Sequence, residues 1–551
     1  MIRQWFQSGV PWVWLNAAAV SISLILVFGL LGLIAVKGLG HFWPSPVAAI
    51  DYQDKAGSES VLIGEIVRSQ ALSAERAKDA GYTVLPGAKQ VTQDLIKTGN
   101  RDLTGRDFRW ISTDAVKGLN YDEDLLVVER REWGNLYGYL VSFKIEGEVI
   151  SEGEKAWRDV TKSLHRTLQL FDAIRDLEKH RIGAVNYGLE RLRLKSKSLE
   201  IKGKLDAPAK QEIAEKKAGY EAEYQQLKAK LLVSYKKIST DSIVVRVAGG
   251  KRLEVPMAKV VDIYQPNAMN LWQKMGFYIA KVWEFLSDEP REANTEGGVF
   301  PAIFGTVMMV MIMAVIVTPF GVIAAVYLRE YAKQGIITRI IRIAVNNLAG
   351  VPSIVYGVFG LGFFVYFLGG NIDALFFPEA SPSPVFGTPG ILWASLTLAL
   401  LTLPVVIVST EEGLSRIPKS IREGSLALGA TKAETLRLTV LPMASPAMMT
   451  GLILAVARAA GEVAPLMLVG VVKLAPSLPV DGNFPFLHLD RKFMHLGFHI
   501  YDVGFQSPNV EAARPLVYST ALLLVLVIIG LNLTAVAVRN NLREKYRALE
   551  N

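Results

Sequence analysis

The chain contains no cysteine and only six histidines among its 551 residues. The absence of cysteine excludes disulfides, thiolate metal sites and cysteine nucleophiles, and it indicates nothing about the redox compartment. His495 and His499 are four residues apart, but Leu496 follows the first of them, so the pair does not match the His-Glu-x-x-His motif of zinc proteases. We therefore expect no metal site and no catalytic site in this chain.

Charge is also scarce. Only 20% of the residues are charged and 51% are hydrophobic, whereas soluble domains average about 25% charged residues. The net charge of +8 is modest, and membrane proteins accumulate positive charge in their cytoplasmic loops. We therefore expect membrane lipid, and no nucleic acid, as a partner.

Long apolar runs are what the sequence has in abundance. A helix needs about 20 apolar residues to cross a bilayer, and helices of soluble proteins average only about 10–14 residues. The first run is longer than a signal-peptide core of about 7–15 residues and is expected to be a retained anchor. We predict an α-helical polytopic membrane protein with six transmembrane helices, in the runs Leu15–Val36, Val299–Leu328, Ile343–Gly370, Ile391–Thr410, Met443–Val472 and Pro515–Val538.

The positive charges of the short connections predict the orientation. Lysine and arginine number fourteen in residues 1–14, 329–342, 411–441 and 539–551, against four in 371–390 and 473–514. Cytoplasmic loops are the ones enriched in these residues. We expect both termini to be cytoplasmic and residues 45–298 to be periplasmic, in a multi-pass protein of the inner membrane.

Residues 45–298 are polar and are predicted to be an α+β insertion between helices 1 and 2. Two β-hairpins are indicated, one with a turn at 133–135 and one around Gly249-Gly250. Between them, residues 152–236 are charged and helical, and the sequence Asp206-Ala207-Pro208 divides them into a helical hairpin. The second arm carries a coiled-coil-like apolar stripe, formed by Ile213, Tyr220, Tyr224, Leu227 and Leu231. The insertion is interpreted as an accessory ectodomain, with a docking surface for an external partner as the alternative.

The connection between helices 4 and 5 has the most distinctive local sequence, IREGSLALGATKAETLRLTVLP from Ile421 to Pro442. Apolar residues among charges predict a short surface helix, and Gly429 allows a sharp reversal of the chain after it. Pro442 is favourable near the start of the helix that follows. Such a short helix, tied to the membrane at both ends, is suited to transmit motion.

This stretch resembles the EAA loop of importer-type ABC permeases, which docks on the ATPase subunit. Glu423, Gly429 and Leu441-Pro442 match the motif in spacing. Gly424 and Ser425 stand where the motif has its two alanines, and Thr439 stands where it has isoleucine. The resemblance implies a role in ATPase coupling for Glu423, Gly424, Ser425, Gly429, Leu441 and Pro442.

Three further stretches resemble the permease subunits of phosphate ABC transporters, the PstA family. They are TPFGVIAAVYLREYA from Thr318, NNLAGVPSIVYGVFGLGFF from Asn346 and ARAAGEVAPLMLVG from Ala457. The resemblance covers residues 300–538. It implies the type I importer fold and a binding-protein-dependent importer of inorganic phosphate. The expected partners are a second related permease in a heterodimer, an ATPase dimer at the cytoplasmic loop and a periplasmic phosphate-binding protein.

The same resemblance implies that this chain binds no cofactor and is not an enzyme. No Gly-x-x-x-x-Gly-Lys-Ser/Thr phosphate loop occurs in it, so ATP would be used by the separate ATPase subunit. Two alternatives remain open. One is import of another oxyanion, and the other, of a different class, is a membrane-anchored receptor with the insertion as its sensor.

Arg458 and Glu462 are the candidate residues of the substrate pathway. They interrupt the fifth apolar run, four residues apart, which predicts one helix face near the middle of the membrane. An arginine at the centre of a spanning helix costs about 2.5–3.5 kcal/mol by insertion scales and normally has a partner or a polar cavity. Its planar fork of donors suits phosphate oxygens, and a structural ion pair is the alternative. The PstA pattern also has an arginine where Val408 stands, three residues before Glu411.

These observations divide the chain into four parts. Residues 1–44 hold the N-terminal tail and helix 1, and residues 45–298 form the insertion. Residues 299–540 form the permease core, with helices 2–6 and the EAA-type coupling loop at 411–442. Residues 541–551 are the expected cytoplasmic tail.

Overall fold

The computed structural model describes residue 5 and residues 8–53, 59–79, 89–507 and 510–546. The chain divides into two compact units. One contains residues 1–41 together with 299–551, and the other contains residues 42–298. They are called the membrane unit and the insertion below.

Six helices of the described residues are long and apolar enough to cross a membrane, which confirms the predicted helix count. Each is a candidate span of 24 to 32 residues, sufficient for a hydrocarbon core about 30 Å thick. The six, called spans 1 to 6, are Val10–Gly40, Phe300–Tyr331, Ser353–Phe376, Ile391–Arg416, Lys432–Gly461 and Ala513–Asn541. Span 6 belongs to a longer helix, Val510–Tyr546, so the helix continues into the segment that was expected to be a tail.

Span 4 lies at the centre of the membrane unit and packs against spans 2 and 5. Small residues make this packing close, as is usual between membrane helices. A Cβ added to Gly321 of span 2 would lie 2.6 Å from a Val406 methyl, and one added to Gly413 would lie 2.4 Å from Ala447 Cβ. Span 1 packs on span 6, where Ser519 donates a hydrogen bond to the Gly38 carbonyl at 2.8 Å.

The third apolar run does not form one helix. It begins in an amphipathic helix, Ile336–Leu348, and span 3 starts only at Ser353. The predicted third helix, Ile343–Gly370, therefore starts ten residues before span 3 does. Gly350 and Pro352 separate the two helices, because proline disfavours helical backbone at the residue before it.

The fifth run was also placed wrongly at both ends. Span 5 begins at Lys432, capped by Thr431, and ends at Gly461. Pro442 therefore lies ten residues after the start of span 5, although it is in the first turn of the α-helical part Leu441–Gly461. The π-helical turn Leu436–Val440 directly precedes Leu441, and such turns accommodate local irregularities in a helix. Beyond Gly461 the chain turns and forms a short helix, Leu466–Val469.

The insertion contains two antiparallel sheets. The sequence patterns indicate no strand of the first sheet, in which the strand order is β4-β3-β2-β1-β5. The second has the order β10-β9-β7-β6-β11, with β8 paired to β7. The strands are β1 (Val47–Gln53), β2 (Glu59–Ser73), β3 (Gln90–Lys97), β4 (Phe108–Ser112), β5 (Val116–Asn120), β6 (Leu125–Arg130), β7 (Leu136–Ile145), β8 (Glu148–Glu152), β9 (Asp241–Arg246), β10 (Arg252–Pro256) and β11 (Val260–Tyr264).

Both predicted β-hairpins are present in the second sheet. Strands β6 and β7 pair with Val128 opposite Leu136, and the turn between them has positive φ at Trp133 and Gly134. Strands β9 and β10 pair around Gly249 and Gly250, which also have positive φ. Glycine adopts this left-handed backbone without steric penalty, which is why these sequences turn where they do.

The predicted helical hairpin is present as well. Its first arm consists of Glu154–Asp176, a π-helical segment Leu177–Ile182 and Gly183–Ile201, and its second arm is Ala207–Ile238. Asp206 caps the second arm by accepting a hydrogen bond from the Ala209 N–H at 3.0 Å. The predicted apolar stripe is the less exposed side of that arm. A separate helix, Leu271–Ser287, follows the second sheet, and a short β-ribbon pairs Pro290–Arg291 with Glu296–Gly297.

Candidate functional site

The loop between spans 4 and 5 forms a short helix, Lys419–Ala427, followed by a reversal at Gly429. Gly429 has φ +89°, and a Cβ placed there would meet no atom within 4 Å. The glycine is therefore required by the backbone and not by crowding, because left-handed backbone costs other residues roughly 1–2 kcal/mol. Gly424 also has open space around it but ordinary helical backbone.

The outer surface of this helix and of the reversal after it is exposed. Glu423 and Gly424 are exposed, while Ser425 hydrogen-bonds to the Thr435 hydroxyl at 2.9 Å. Leu428 is 91% exposed. Isolated leucine side chains of this exposure are normal on protein surfaces, but this one lies at the tip of a polar loop beside the EAA-like residues. The geometry suits insertion into a groove of another protein.

The inner surface of the loop is fixed to span 2 by an ion pair. Arg422 Nη2 lies 2.8 Å from Glu330 Oε1, and both side chains are largely buried. The same guanidinium donates to the Leu414 and Ile417 carbonyls at 2.7 and 2.6 Å. Sequence analysis did not single out Arg422 or Glu330. Displacement of the loop would therefore act directly on the ends of spans 2 and 4.

Arg458 and Glu462 are brought together, but not in the middle of a helix. Arg458 lies in the last turn of span 5, and Glu462 follows the helix end with extended backbone, φ −79° and ψ 132°. Arg458 Nε is 3.5 Å from Glu462 Oε1, and the two side chains are 33% and 22% exposed. The predicted pairing exists, but the prediction that both residues lie on one face of helix 5 was wrong, because Glu462 lies beyond the end of the helix.

The arrangement leaves most of the arginine's donors available. Within the described residues, no acceptor lies within hydrogen-bond distance of Arg458 Nη1 or Nη2. The end of a helix also carries partial negative charge, which stabilises a cation there. A guanidinium held by one long contact at its Nε can present its two outer nitrogens to an anion.

Span 3 holds the chain segment that follows Glu462. A Cβ added to Gly357 would lie 2.7 Å from Pro465 Cα, and one added to Gly360 would lie 2.3 Å from Thr397 Oγ1. The glycine-rich sequence of span 3 is thus explained in part by close packing. Gly362, by contrast, has nothing within 4 Å of an added Cβ.

A second polar site lies where span 4 ends. Arg342 of the Ile336–Leu348 helix binds Glu411, with Nε donating to Oε1 at 2.7 Å. The two residues border a cleft of about 230 Å³, which Asn346 and Val408 also line. Sequence analysis counted Arg342 only as a topology charge. Glu411 is therefore an ion-pair partner of Arg342, a contact that the sequence did not indicate.

The two histidines with the metal-like spacing have other contacts. His495 Nδ1 accepts the Gly497 N–H at 3.1 Å, which caps the helix Leu496–Tyr501, and His499 Nδ1 lies 3.4 Å from the Thr520 hydroxyl. Both are buried, and burial lowers the pKa of each to about 4. Among the described residues, no group of three or more His, Asp or Glu side chains could hold a metal ion.

Comparison with known proteins places these features in a family. Residues 317–547 match the family model of the binding-protein-dependent transport system inner membrane component. The chain is 34% identical over 269 residues to the phosphate transport system permease protein PstA of Mycobacterium leprae, which covers 48% of this chain and 79% of that protein. The chain belongs to the PstA family of ABC-transporter permeases.

Other members of the family show the same range of similarity. PstA 1 of Mycobacterium tuberculosis strain H37Rv is 34% identical over 247 residues, covering 44% of this chain and 70% of that protein. The probable PstA of Methanocaldococcus jannaschii is 29% identical over 241 residues, covering 43% and 74%. Among solved structures, the MetNI methionine ABC transporter in an inward-facing conformation matches 44% of this chain and 94% of its own, with 18% identity and a TM-score of 0.33. The insertion lies outside the family match at 317–547.

Proposed function

We propose that this PstA-family chain is the transmembrane permease subunit of an ATP-driven, binding-protein-dependent importer of inorganic phosphate. The choice of phosphate as the substrate is supported by relatives that are 34% identical to this chain and are named phosphate transport system permease proteins. Arg458 adds a chemical reason, because its outer nitrogens are unpaired within the described residues. Paired arginine donors bind phosphate oxygens in bidentate fashion.

The proposal assigns Arg458 to the anion and Glu462 to the balance of its charge between transport cycles. Glu462 can also accept the proton that hydrogen phosphate carries and sulfate lacks near neutral pH. Only a single 3.5 Å contact joins the two side chains. An anion can therefore replace the carboxylate without breaking a network of short hydrogen bonds.

ATP hydrolysis would reach the membrane through the loop between spans 4 and 5. We assign Glu423, Gly424, Ser425, Gly429, Leu441 and Pro442 to this coupling. The exposed Leu428 supports docking of the loop in an ATPase groove, and the Arg422–Glu330 pair supports transmission of its movement to span 2. The partners of this subunit would be a second permease, an ATPase dimer and a periplasmic phosphate-binding protein.

The proposed topology places both termini in the cytoplasm and the insertion in the periplasm. Its support is the excess of lysine and arginine in the short connections on one side. Trypsin added to intact spheroplasts should then cut within residues 150–240. Cleavage in this range only after lysis of the cells would contradict the topology.

Uptake by the complete reconstituted complex tests the function. Radioactive phosphate should enter proteoliposomes only when ATP is enclosed at the ATPase side and the binding protein is present on the other. A tenfold excess of unlabelled sulfate should leave uptake nearly unchanged. Equal inhibition by sulfate would favour a broader oxyanion importer, and phosphate entry without ATP would contradict the proposal.

A further inference from the structure

The helix Leu271–Ser287 of the insertion carries an exposed apolar stripe. Trp272, Ile279 and Trp283 are 78%, 64% and 69% exposed. Leu271 and Met275 extend the same face towards the start of the helix, at 63% and 42% exposure. Steps of three, four and four residues place side chains on one side of an α-helix. Two tryptophans are thus presented outward together with three aliphatic side chains.

The stripe is free of charge over the whole helix. The exposed residues of Leu271–Ser287 include no Asp, Glu, Lys or Arg. Lys281 points inward instead, where its Nζ lies 2.8 Å from Glu129 and 2.9 Å from both Asp262 and Glu284. A surface helix in water normally shows its charged residues outward and its apolar residues inward. Here the apolar surface faces outward, while Lys281 and Glu284 are paired with each other and Lys274 is half-buried.

The other face of the helix is firmly packed, so the exposed stripe has a defined orientation. The rings of Phe277 and Tyr264 are 4.5 Å apart, and those of Phe285 and Phe42 are 5.2 Å apart. Asn270 and Gln273 form a capping box at the start of the helix. Inward rotation of the stripe would expose these aromatic contacts and the buried Lys281.

Chain connectivity indicates what covers the stripe. Phe42 contacts this helix through Tyr278 and Phe285, and only His41 separates Phe42 from the end of span 1 at Gly40. Trp43, which is 40% exposed, lies 6.0 Å from the Tyr278 ring. At the other end, residues 288–299 join the helix to span 2. Through Phe42, the helix is therefore in contact with a residue that follows the end of span 1 by only two positions in the chain.

We propose that the Leu271–Ser287 helix lies in the plane of the bilayer interface, in the leaflet where span 1 ends and span 2 begins. Trp272, Ile279 and Trp283 would enter the boundary between headgroups and acyl chains. Tryptophan is enriched at this depth because its ring is amphipathic, and uncharged apolar faces are how interfacial helices bind membranes. The ligand is the lipid surface, and the proposal does not depend on the transported anion.

Spin labelling tests this proposal with little preparation, because the chain has no native cysteine. Ile279→Cys is labelled with a nitroxide in the full chain, within the assembled complex in nanodiscs of phosphatidylethanolamine and phosphatidylglycerol. Ala222→Cys is the matched control, since Ala222 is an exposed residue of another helix of the insertion. Trp272→Cys and Trp283→Cys complete the series. All four positions are exposed, so folding should be preserved.

The readout is collision of the label with oxygen, which concentrates in lipid, and with a water-soluble nickel chelate. The ratio of oxygen to nickel collision is expected to be several-fold higher at positions 272, 279 and 283 than at 222, with similar values at the three. The same nickel accessibility at 279 as at 222 would place the stripe in water and overturn the proposal. Protection at 279 from both reagents would indicate a protein partner and would also overturn it.

Discussion

The ends of the spans and the helical hairpin of the insertion use charged residues in different ways. In the membrane unit, the ion pairs Arg342–Glu411, Arg422–Glu330 and Arg458–Glu462 each lie at the end of a span. The insertion distributes ion pairs along its helical hairpin, as in Lys216–Glu212 and Arg193–Glu190, where every side chain is about half exposed. The number of ion pairs in a part of the chain therefore says little about how much each pair contributes to stability.

The surroundings of each pair explain the difference. A half-exposed pair is screened by water and contributes about 0–1 kcal/mol. A partly buried pair, once one partner is removed, leaves the other charge without compensation, which costs several kcal/mol when burial is complete. Charges of the membrane unit are thus expected to matter individually, and those of the hairpin hardly at all. The predictions below test this contrast from the largest expected effect to the smallest.

The largest effect is expected at Arg458. Arg458→Gln should lower phosphate uptake by at least about tenfold, because hydrogen bonds to charged groups contribute roughly 1.5–3 kcal/mol. Complex assembly should be retained, since Arg458 makes only one long contact within the described residues. Uptake by proteoliposomes and co-purification of the ATPase measure the two properties separately.

The double variant Arg458→Gln with Glu462→Gln separates the anion site from a structural pair. An anion site predicts normal assembly and no recovery of uptake. Full recovery of uptake in the double variant would mean that the pair only balances charge. Arg458→Lys keeps the charge without the planar fork and should remain impaired.

A pH effect is expected at His495. Its pKa in the folded chain is about 4, below the unfolded value of about 6.5. The folded state therefore binds fewer protons, and stability should fall as the pH drops from about 6.5 towards 4. Thermal unfolding of the purified chain should show this loss, which amounts to roughly 3 kcal/mol when the pKa is lowered from about 6.5 to about 4.

His495→Asn provides the control for this pH dependence. Asparagine is a good N-cap residue and can replace the Nδ1 contact to the Gly497 N–H, but it does not titrate. The variant should lose part of the destabilisation between pH 7 and pH 5. His499 also titrates in this range and should keep the remainder. If the variant showed the same dependence of stability on pH as the unchanged chain, His495 would be excluded as a source of that dependence.

A smaller effect is expected from the two glycines of the coupling loop. Gly429→Ala should destabilise the loop by roughly 1–2 kcal/mol, because its φ is +89°. Gly424→Ala should be neutral, since the EAA motif has alanine at this position and the backbone there is helical. Uptake per ATP hydrolysed should therefore fall only in the Gly429 variant. If uptake per ATP hydrolysed were the same in both variants, the chain reversal at Gly429 would not be required for coupling.

The smallest effect is expected on the helical hairpin. Glu212→Gln removes the partner of Lys216 and Lys195, yet stability should change by less than about 0.5–1 kcal/mol. Leu227→Ala, in the same helix, removes a buried side chain and should cost roughly 2–4 kcal/mol. Hydrogen exchange of the hairpin amides, measured in the full chain, compares the stability of the two variants. A large effect of Glu212→Gln would contradict the contrast between the span ends and the hairpin.

Much of the architecture follows from patterns that do not depend on tertiary contacts. The six long apolar runs predict the spans, because a bilayer imposes a minimum apolar length. The hairpin turns at Trp133-Gly134 and Gly249-Gly250 and the reversal at Gly429 follow from local backbone preferences. Asp206 and Pro208 likewise predict the start of the second hairpin arm, because both residues are favoured at helix N-termini.

The missed strands show where such patterns fail. Strand β2 is fifteen residues long, but most of its second half is exposed on both faces. It therefore lacks the alternation of apolar and polar residues that marks a half-buried strand. Its place in the sheet comes from pairing with β1 and β3, which are distant contacts that no short window contains.

The sequence by itself determined the number of spans, the family and the turning points of the chain. Only the tertiary structure decided where the third and fifth apolar runs stop being helical, and hence where Arg458 and Glu462 lie. Hydrophobicity measures the preference for lipid, whereas irregular backbone is tolerated at membrane depth wherever the surrounding protein covers it. Gly357 packed on Pro465 is one such contact, and it joins residues more than a hundred positions apart.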